Sequence, residues 1–117
     1  MRAAACLALA GRIDAARGRL MEIPAEGRAA GAGFVFDAGH PAADAGDDTA
    51  AGPLMELVLE FWPDHYMALY HAGAWRYETG SRDIAKVHLE RFLELYEPDD
   101  GWRQDALRMV EGVGREL

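Results

Sequence analysis

The sequence has few of the features that mark common functional classes. It contains one cysteine, Cys6, so an intrachain disulfide and a metal site built on several cysteines are excluded. Basic residues are scarce, with 12 against 20 acidic residues and a formal net charge of −8. A surface of that sign repels phosphate groups, so neither a nucleic acid nor a membrane surface is expected as a partner.

Long apolar runs are also lacking. A membrane-spanning helix needs about 20 consecutive apolar residues, and no stretch approaches that length. In the opening segment MRAAACLALAG the apolar run covers only residues 3–10, and charged residues follow at once, so no secretory signal is expected. Together with the single cysteine, these features predict a cytoplasmic protein.

Sequence signatures of enzymes are missing too. The glycines at 31–33 follow no strand-like run, so they do not form a phosphate-binding loop, and no Gly-x-Ser-x-Gly motif occurs. Cys6 has no histidine near it in the sequence. The sequence therefore predicts neither an enzyme nor a bound cofactor.

What the chain does contain is a recurring spacing of small and apolar residues. Gly11, Gly46 and Gly80 are spaced by 35 and 34 residues. Each is followed by an alanine, then by a leucine or methionine, and then by another apolar residue, always at the same intervals. The three sets are Ala16, Leu20 and Ile23; Ala51, Met55 and Val58; and Ala85, Leu89 and Phe92.

A period of 34 residues with these residue types resembles the tetratricopeptide repeat. The resemblance is best over residues 64–98, where the family's characteristic places hold Gly73, Tyr77, Gly80, Ala85, Leu89, Phe92 and Pro98. It implies an all-α fold of antiparallel helical hairpins, stacked as a short right-handed superhelix with a C-terminal closing helix. In such a fold small residues lie where two helices cross, and larger ones fill the gap to the next repeat.

We predict a single domain over residues 1–117, with units at 1–24, 30–63 and 64–98 and a closing helix over 100–117. In the third unit Pro63 is suited to open a helix and Gly80 to end it. Ser81 is suited to cap the next helix, which should run to about Glu97. One face of the closing helix is apolar and consists of Trp102, Ala106, Met109, Val110, Val113 and Leu117.

The middle unit fits the repeat worst, because five glycines and Pro41 fall between residues 27 and 46. Each interior glycine costs a helix about 1 kcal/mol relative to alanine, and a proline costs about 3 kcal/mol. We therefore expect an irregular glycine-rich segment over 25–46 in place of a full helix. Within it, residues 34–36 are expected to form a plug in the groove, a short extended piece or part of a distorted helix. The second helix should carry Pro53 in its first turn.

Aromatic residues on the first helix of a repeat often line the concave groove and anchor peptides there. The candidate groove is the stripe Met67, Tyr70, Ala74 and Tyr77, flanked by Glu78. Some members of the family bind C-terminal carboxylates through lysine and asparagine in the groove. The matching places here hold Tyr70 and Ala74, so carboxylate binding of that kind is not expected. Four further tryptophan and tyrosine residues are expected either in the core between repeats or in the groove; they are Trp62, Tyr66, Trp75 and Trp102.

Histidines offer a weaker candidate site. His65 and His71 lie six residues apart, whereas two ligands on one helix face need a spacing of three or four. Asp64 and His88 could meet across the hairpin. Groove-lining or surface histidines are the favoured interpretation, so no metal site is predicted.

Pairs of acidic residues are expected at helix starts. Asp99 and Asp100 follow Glu97 and precede the closing helix, and Asp47 and Asp48 precede the second helix of the middle unit. Such pairs can bind calcium, but helix capping explains their positions.

The sequence thus predicts a protein–protein interaction module, a small adaptor or a subunit of a larger assembly. It would bind a peptide or partner helix in a groove, and its acidic rims would favour a basic partner. One alternative is a structural subunit stabilised by homo- or hetero-oligomerisation. A less favoured one is a metal protein or enzyme that uses His65, His71 and His88.

Overall fold

Three helical hairpins follow one another along the chain, and a single helix packs on the last of them. The computed structural model describes the backbone of residues 1–116, and their side chains except those of 48–50, 115 and 116. The helices are α1 (Arg2–Leu9), α2 (Ile13–Met21), α3 (Arg28–Asp44), α4 (Asp48–Phe61), α5 (Tyr66–Glu78), α6 (Arg82–Leu95) and α7 (Gly101–Glu116), with a 3₁₀ turn at Ala25–Gly27. The described residues contain no strand, which confirms the predicted all-α class.

Each hairpin turns at one of the three repeating glycines. Gly11, Gly46 and Gly80 have φ values of +80°, +84° and +92°. The next amide after each glycine donates to a carbonyl five residues back, at 2.9 Å in every case. The three bonds run from Arg12 to Leu7, from Asp47 to Ala42 and from Ser81 to Arg76. This 6→1 bond and left-handed glycine are those of a Schellman motif, so the three turns are geometrically equivalent.

The repeating residues after each turn lie in the core. Ala16, Ala51 and Ala85 are all buried, and so are the leucine and methionine that follow them. Gly73 lies on α5 where α6 crosses it, and a Cβ there would come 2.6 Å from Leu89 Cγ. Pro98 is exposed in the connection between α6 and α7.

Packing between neighbours divides the interior into two apolar clusters. One cluster joins α1–α4 and the buried face of α5, and the other joins α5, α6 and α7. Leu59 and Met67 contact both. The molecule measures 42 × 25 × 24 Å, so the hairpins extend mainly in one direction. None of the helices over residues 2–116 combines the length and the apolar character that crossing a bilayer requires.

The prediction of an irregular segment over 25–46 is wrong. Residues 28–44 form α3, a helix of 17 residues, and its glycines lie where neighbouring side chains approach the backbone. A Cβ at Gly39 would come 2.6 Å from Leu54, and one at Gly31 would come 2.8 Å from Ile23. Within the segment 34–36, Val35 and Phe36 are buried and Phe34 is exposed, all on a regular helix.

Several predicted helix ends also differ. Helix α5 begins at Tyr66, so Pro63 lies in the connection, and His65 caps the helix by accepting a hydrogen bond from the Ala68 amide at 3.3 Å. Pro53 lies inside α4 rather than in its first turn. Helix α6 ends at Leu95, and Ser81 occupies its N-cap position without a side-chain hydrogen bond to the helix.

The closing helix forms as predicted. Asp100 Oδ1 accepts from the Arg103 amide at 3.2 Å, which is the expected cap. Ala106 and Val113 are buried, whereas Trp102 is 37% exposed. Leu117 lies outside the described residues.

Candidate functional site

Four of the five predicted groove residues turn toward other helices of the protein itself. Tyr70 and Ala74 are buried on α5, and Met67 packs between the two apolar clusters. The Tyr77 hydroxyl lies against Gly112 of α7. The Arg82 guanidinium stacks over the Tyr77 ring, with its Cζ 3.8 Å from the ring centroid. A Cβ at Gly112 would overlap Tyr77, so α7 covers this end of the stripe closely.

A pocket of about 300 Å³ lies beside this stripe, between the end of α3, the middle of α5 and the first half of α7. We call it the acidic pocket. Its apolar lining comes from Ala43, Gly46, Tyr70, Ala74, Trp102 and Met109. Its polar lining comes from Asp44, His71, Glu78, Asp105 and Arg108. Tyr70, Ala74 and Glu78 of the predicted groove therefore line it, whereas Met67 and Tyr77 do not.

Two aromatic rings form one wall of the acidic pocket. Tyr70 and Trp102 meet edge to face, with centroids 5.0 Å apart and an interplanar angle of 88°. Phe92 packs behind Tyr70 at 5.3 Å, which fixes the tyrosine ring against the core. Trp102 is partly exposed and so presents part of its indole to the pocket.

Charges around the pocket are mainly negative. Among the described residues that line it, three are carboxylates and one is a guanidinium, that of Arg108, which pairs with Asp105 at 2.5 Å. Within the same described part of the chain, the ionic contacts of Asp44 are to His40 and His71 rather than to an arginine or lysine. The carboxylate of Asp44 therefore contributes negative charge to the pocket.

At one side of the pocket lies a histidine–aspartate cluster, which consists of His40, Asp44 and His71; Asp44 and His71 also line the pocket. Asp44 Oδ1 is 3.2 Å from His40 Nε2 and 3.7 Å from His71 Nε2, and the three ligand atoms all lie within 4.8 Å of one another. Both Nε2 atoms are buried and have no hydrogen-bond partner among the described residues. The short His40–Asp44 separation therefore lacks the angles of a hydrogen bond.

His71 is the most deeply buried member of the cluster, with its side chain 4% exposed. Burial and, to a lesser extent, the nearby His40 lower the pKa of His71 to about 4, and the opposing effect of Asp44 is smaller. The imidazole is therefore neutral at pH 7, with one ring nitrogen free to act as an acceptor or a ligand.

The three histidines named from the sequence do not come together in the described part of the chain. His65 caps α5, and its ring contacts that of Phe36 at a tilt of 40°, with centroids 4.1 Å apart. His88 Nε2 lies 3.2 Å from Glu56 Oε2, in a cluster with Arg76. Asp64 does not meet His88 and instead binds Arg91 at 2.9 Å.

The other aromatic residues divide between core and surface. Trp75 packs directly over Gly52 of α4, where a Cβ would overlap its ring. Trp62 is 41% exposed and covers Gly33, and Tyr66 is exposed beside Tyr96. Of the acidic pairs, Asp100 is a helix cap, Asp47 directly precedes α4, and the side chain of Asp48 lies outside those described.

Sequence reasoning missed His40 and Asp44, although a signal for them exists. The two residues are four apart, which places them on one face of a helix. A spacing of four residues places two side chains on one face only in a helix, and residues 25–46 were expected to be irregular. Because these residues form α3, the spacing brings both side chains toward His71 on α5.

Comparison with protein-family models, with curated proteins and with solved structures found no match to this chain. The class that its own geometry defines is an all-α protein of stacked helical hairpins, with an acidic pocket between its second hairpin, its third hairpin and the closing helix.

Proposed function

We propose that this protein is a helical-repeat adaptor that binds a basic segment of a partner protein. The anchor is one lysine or arginine side chain, which enters the acidic pocket. The observation that carries the proposal is the Tyr70–Trp102 wall standing beside the carboxylates of Asp44 and Asp105.

The chemistry of the pocket suits a cation. An aromatic face attracts a guanidinium or ammonium group by about 0.5–1 kcal/mol at exposed sites, and by about 2 kcal/mol where water is excluded. Carboxylates beside that face add charge complementarity and speed the encounter with a basic partner. The net charge of −8 acts in the same direction at longer range.

The size of the pocket supports an anchor rather than a whole ligand. At about 300 Å³ it lies at the lower limit for small-molecule sites, which run from about 300 to 1,000 Å³. A single long side chain fills such a volume. The remainder of the partner segment would then lie over the surface around α5 and α7.

The tetratricopeptide resemblance supports the same role. Three equivalent glycine turns at a 34–35-residue period, each followed by a buried alanine, are consistent with that family's architecture. We further propose a cytoplasmic setting, because the single cysteine, Cys6, is exposed and unpaired.

The test begins with random peptides displayed on phage and selected on the purified protein. Selected sequences should share a lysine or arginine. A synthetic copy should lose about tenfold or more in affinity, measured by fluorescence anisotropy, when that residue is replaced by citrulline or norleucine. Trp102→Ala in the protein should cause a similar loss.

Trp62→Ala is the matched control, because Trp62 is exposed to a similar degree as Trp102 but lies outside the acidic pocket. It should leave peptide affinity unchanged. Selection of acidic or purely apolar peptides, or an equal loss in both tryptophan variants, would show that the pocket is not a cation site.

The structural-subunit alternative rests on a different surface. Leu9 and Met21, in the N-terminal hairpin, are about half exposed, at 52% and 51%. Leu9 ends α1 and Met21 ends α2, so they lie toward opposite ends of this hairpin, and each is suited to burial against a second copy. Sedimentation over a wide range of protein concentration separates the two functions, since a subunit of this kind stays associated and the adaptor stays monomeric.

A further inference from the structure

We propose that His40, Asp44 and His71 form a binding site for a divalent transition-metal ion of the Zn²⁺ class. The ion would bridge α3 and α5. The proposal stands on the histidine–aspartate cluster alone and does not depend on peptide binding.

The ligand set is one that such ions prefer. Imidazole nitrogen suits Zn²⁺, Ni²⁺ and Cu²⁺, and two histidines with one carboxylate leave a further coordination position open. His40 and Asp44 are four residues apart on α3, the spacing that puts two ligands on one helix face. His71 supplies the third ligand from α5.

The distances are close to those of a bound ion. Ligand atoms about 2.0–2.1 Å from a tetrahedral ion are about 3.4 Å from each other. Asp44 Oδ1 lies 3.2 Å from one nitrogen and 3.7 Å from the other. The third edge of the triangle is within 4.8 Å, so only a slight adjustment of the partly exposed His40 is needed to bring all three ligand atoms to these separations.

The state of the nitrogens gives a second, independent reason. Both Nε2 atoms are buried without a hydrogen-bond partner among the described side chains, and His71 is 97% buried as a residue. A buried polar atom without a partner is uncommon, and it destabilises the folded state. An ion among the three residues would satisfy both nitrogens at once and would neutralise Asp44.

Neighbouring rings hold the two imidazoles in place. His40 stacks on Phe36 with centroids 4.8 Å apart, and His71 stands edge to face with Tyr70 at 5.4 Å and Trp102 at 5.9 Å. Rings fixed in this way lose little freedom when they bind a metal. Because Asp44 and His71 also line the acidic pocket, the open coordination position would face that pocket.

Titration of the metal-free protein with Zn²⁺, followed by calorimetry, tests the proposal. One equivalent should bind and should raise the melting temperature. Co²⁺ should bind in competition and give the visible absorption of a site with nitrogen and oxygen ligands. His40→Gln and Asp44→Asn, both at partly exposed positions, should each weaken Zn²⁺ binding at least about tenfold while the protein stays folded.

His88→Gln is the matched control, because His88 also lies beside a carboxylate, that of Glu56, but outside the cluster. Its Zn²⁺ affinity should equal that of the unaltered protein. Absence of stoichiometric Zn²⁺ binding would overturn the proposal, as would binding that survives both His40→Gln and Asp44→Asn or that His88→Gln weakens equally.

Discussion

Single glycines set how closely the helices approach one another. Gly52 lies in the second turn of α4, directly under the Trp75 ring of α5. Gly18 lies in the middle of α2, and a Cβ there would have no neighbour within 4 Å. The two residues have the same helical backbone and opposite surroundings, so they separate the effect of packing from that of helix propensity.

Gly52→Ala should therefore destabilise the protein by about 1–3 kcal/mol, because overpacking outweighs the gain in propensity. Gly18→Ala should stabilise it by about 0.5–1 kcal/mol through the same propensity gain alone. Urea unfolding followed by circular dichroism measures both. A Gly52→Ala variant as stable as Gly18→Ala would mean that Trp75 does not pack over α4.

The carboxylate of Glu56 contacts two basic side chains, those of Arg76 and His88. Burial alone would raise its pKa, but hydrogen bonds from His88 and Arg76 outweigh burial and lower the pKa to about 2. Arg76 makes two of these contacts, at 2.7 and 2.5 Å. Because the folded pKa is lowered, the carboxylate stabilises the folded state fully above about pH 4.5, and that contribution is lost as the pH falls toward 2.

Glu56→Gln should accordingly lower the free energy of unfolding by about 1–2 kcal/mol at pH 7. This is less than the full pKa shift corresponds to, because solvent screens the partly exposed pair. The difference from the unaltered protein should shrink between pH 4.5 and pH 2. Glu60→Gln is the control, since Glu60 pairs with Arg17 at an exposed position and should contribute less than about 1 kcal/mol. An equal cost for both variants, or a difference that does not change with pH, contradicts the prediction.

Helical elements show where sequence reasoning succeeded and where it failed. The turn glycines and the alanines after them were predictable, because a left-handed turn and a close crossing each require a specific small residue. Helix α3 was not predictable, because propensity counts its glycines as losses of about 1 kcal/mol each. Burying Val35 and Phe36 returns about 1.5–3 kcal/mol for each side chain, and that gain exists only in the tertiary structure.

Prediction of the candidate site from the sequence was incomplete for the same reason, that α3 was not expected to be a full helix. Tyr70, Ala74 and Glu78 were correctly placed on one helix, but the other walls of the acidic pocket come from α3 and α7. His40 and Asp44 become neighbours only if α3 is helical. An error about one element therefore concealed a cluster whose spacing was present in the sequence.

The hairpin turns provide a test at the same scale. Gly80→Ala should destabilise the protein by about 1 kcal/mol, because a Cβ at φ +92° is strained even though the space around it is open. Gly80→Asn should cost less, since asparagine tolerates the left-handed region better. Gly101→Ala, also open but without a positive φ, is the control and should be near neutral. Thermal unfolding ranks the three variants, and a neutral Gly80→Ala would rule out the strained turn.

For the molecule as a whole, the two proposals meet at Asp44, which belongs to both the acidic pocket and the histidine–aspartate cluster. If both proposals hold, bound Zn²⁺ adds positive charge beside Asp44 at the pocket. Repulsion should then weaken the binding of a lysine or arginine anchor at least about tenfold. Anisotropy with the phage-selected peptide, with and without saturating Zn²⁺, measures the effect. Mg²⁺ at equal concentration controls for ionic strength, and unchanged or tighter peptide binding with Zn²⁺ bound would disprove the coupling.

Helix α4 has a further consequence. Its side chains Leu54, Met55, Leu57 and Val58 are at most 1% exposed, and it packs against α3 on one side and α5 on the other. Cutting the chain in the connection at residues 62–65 would leave each fragment with apolar side chains exposed to solvent. The packing of α4 therefore leaves no boundary there at which the protein could divide into independently folding halves, and the two fragments should regain structure only when mixed.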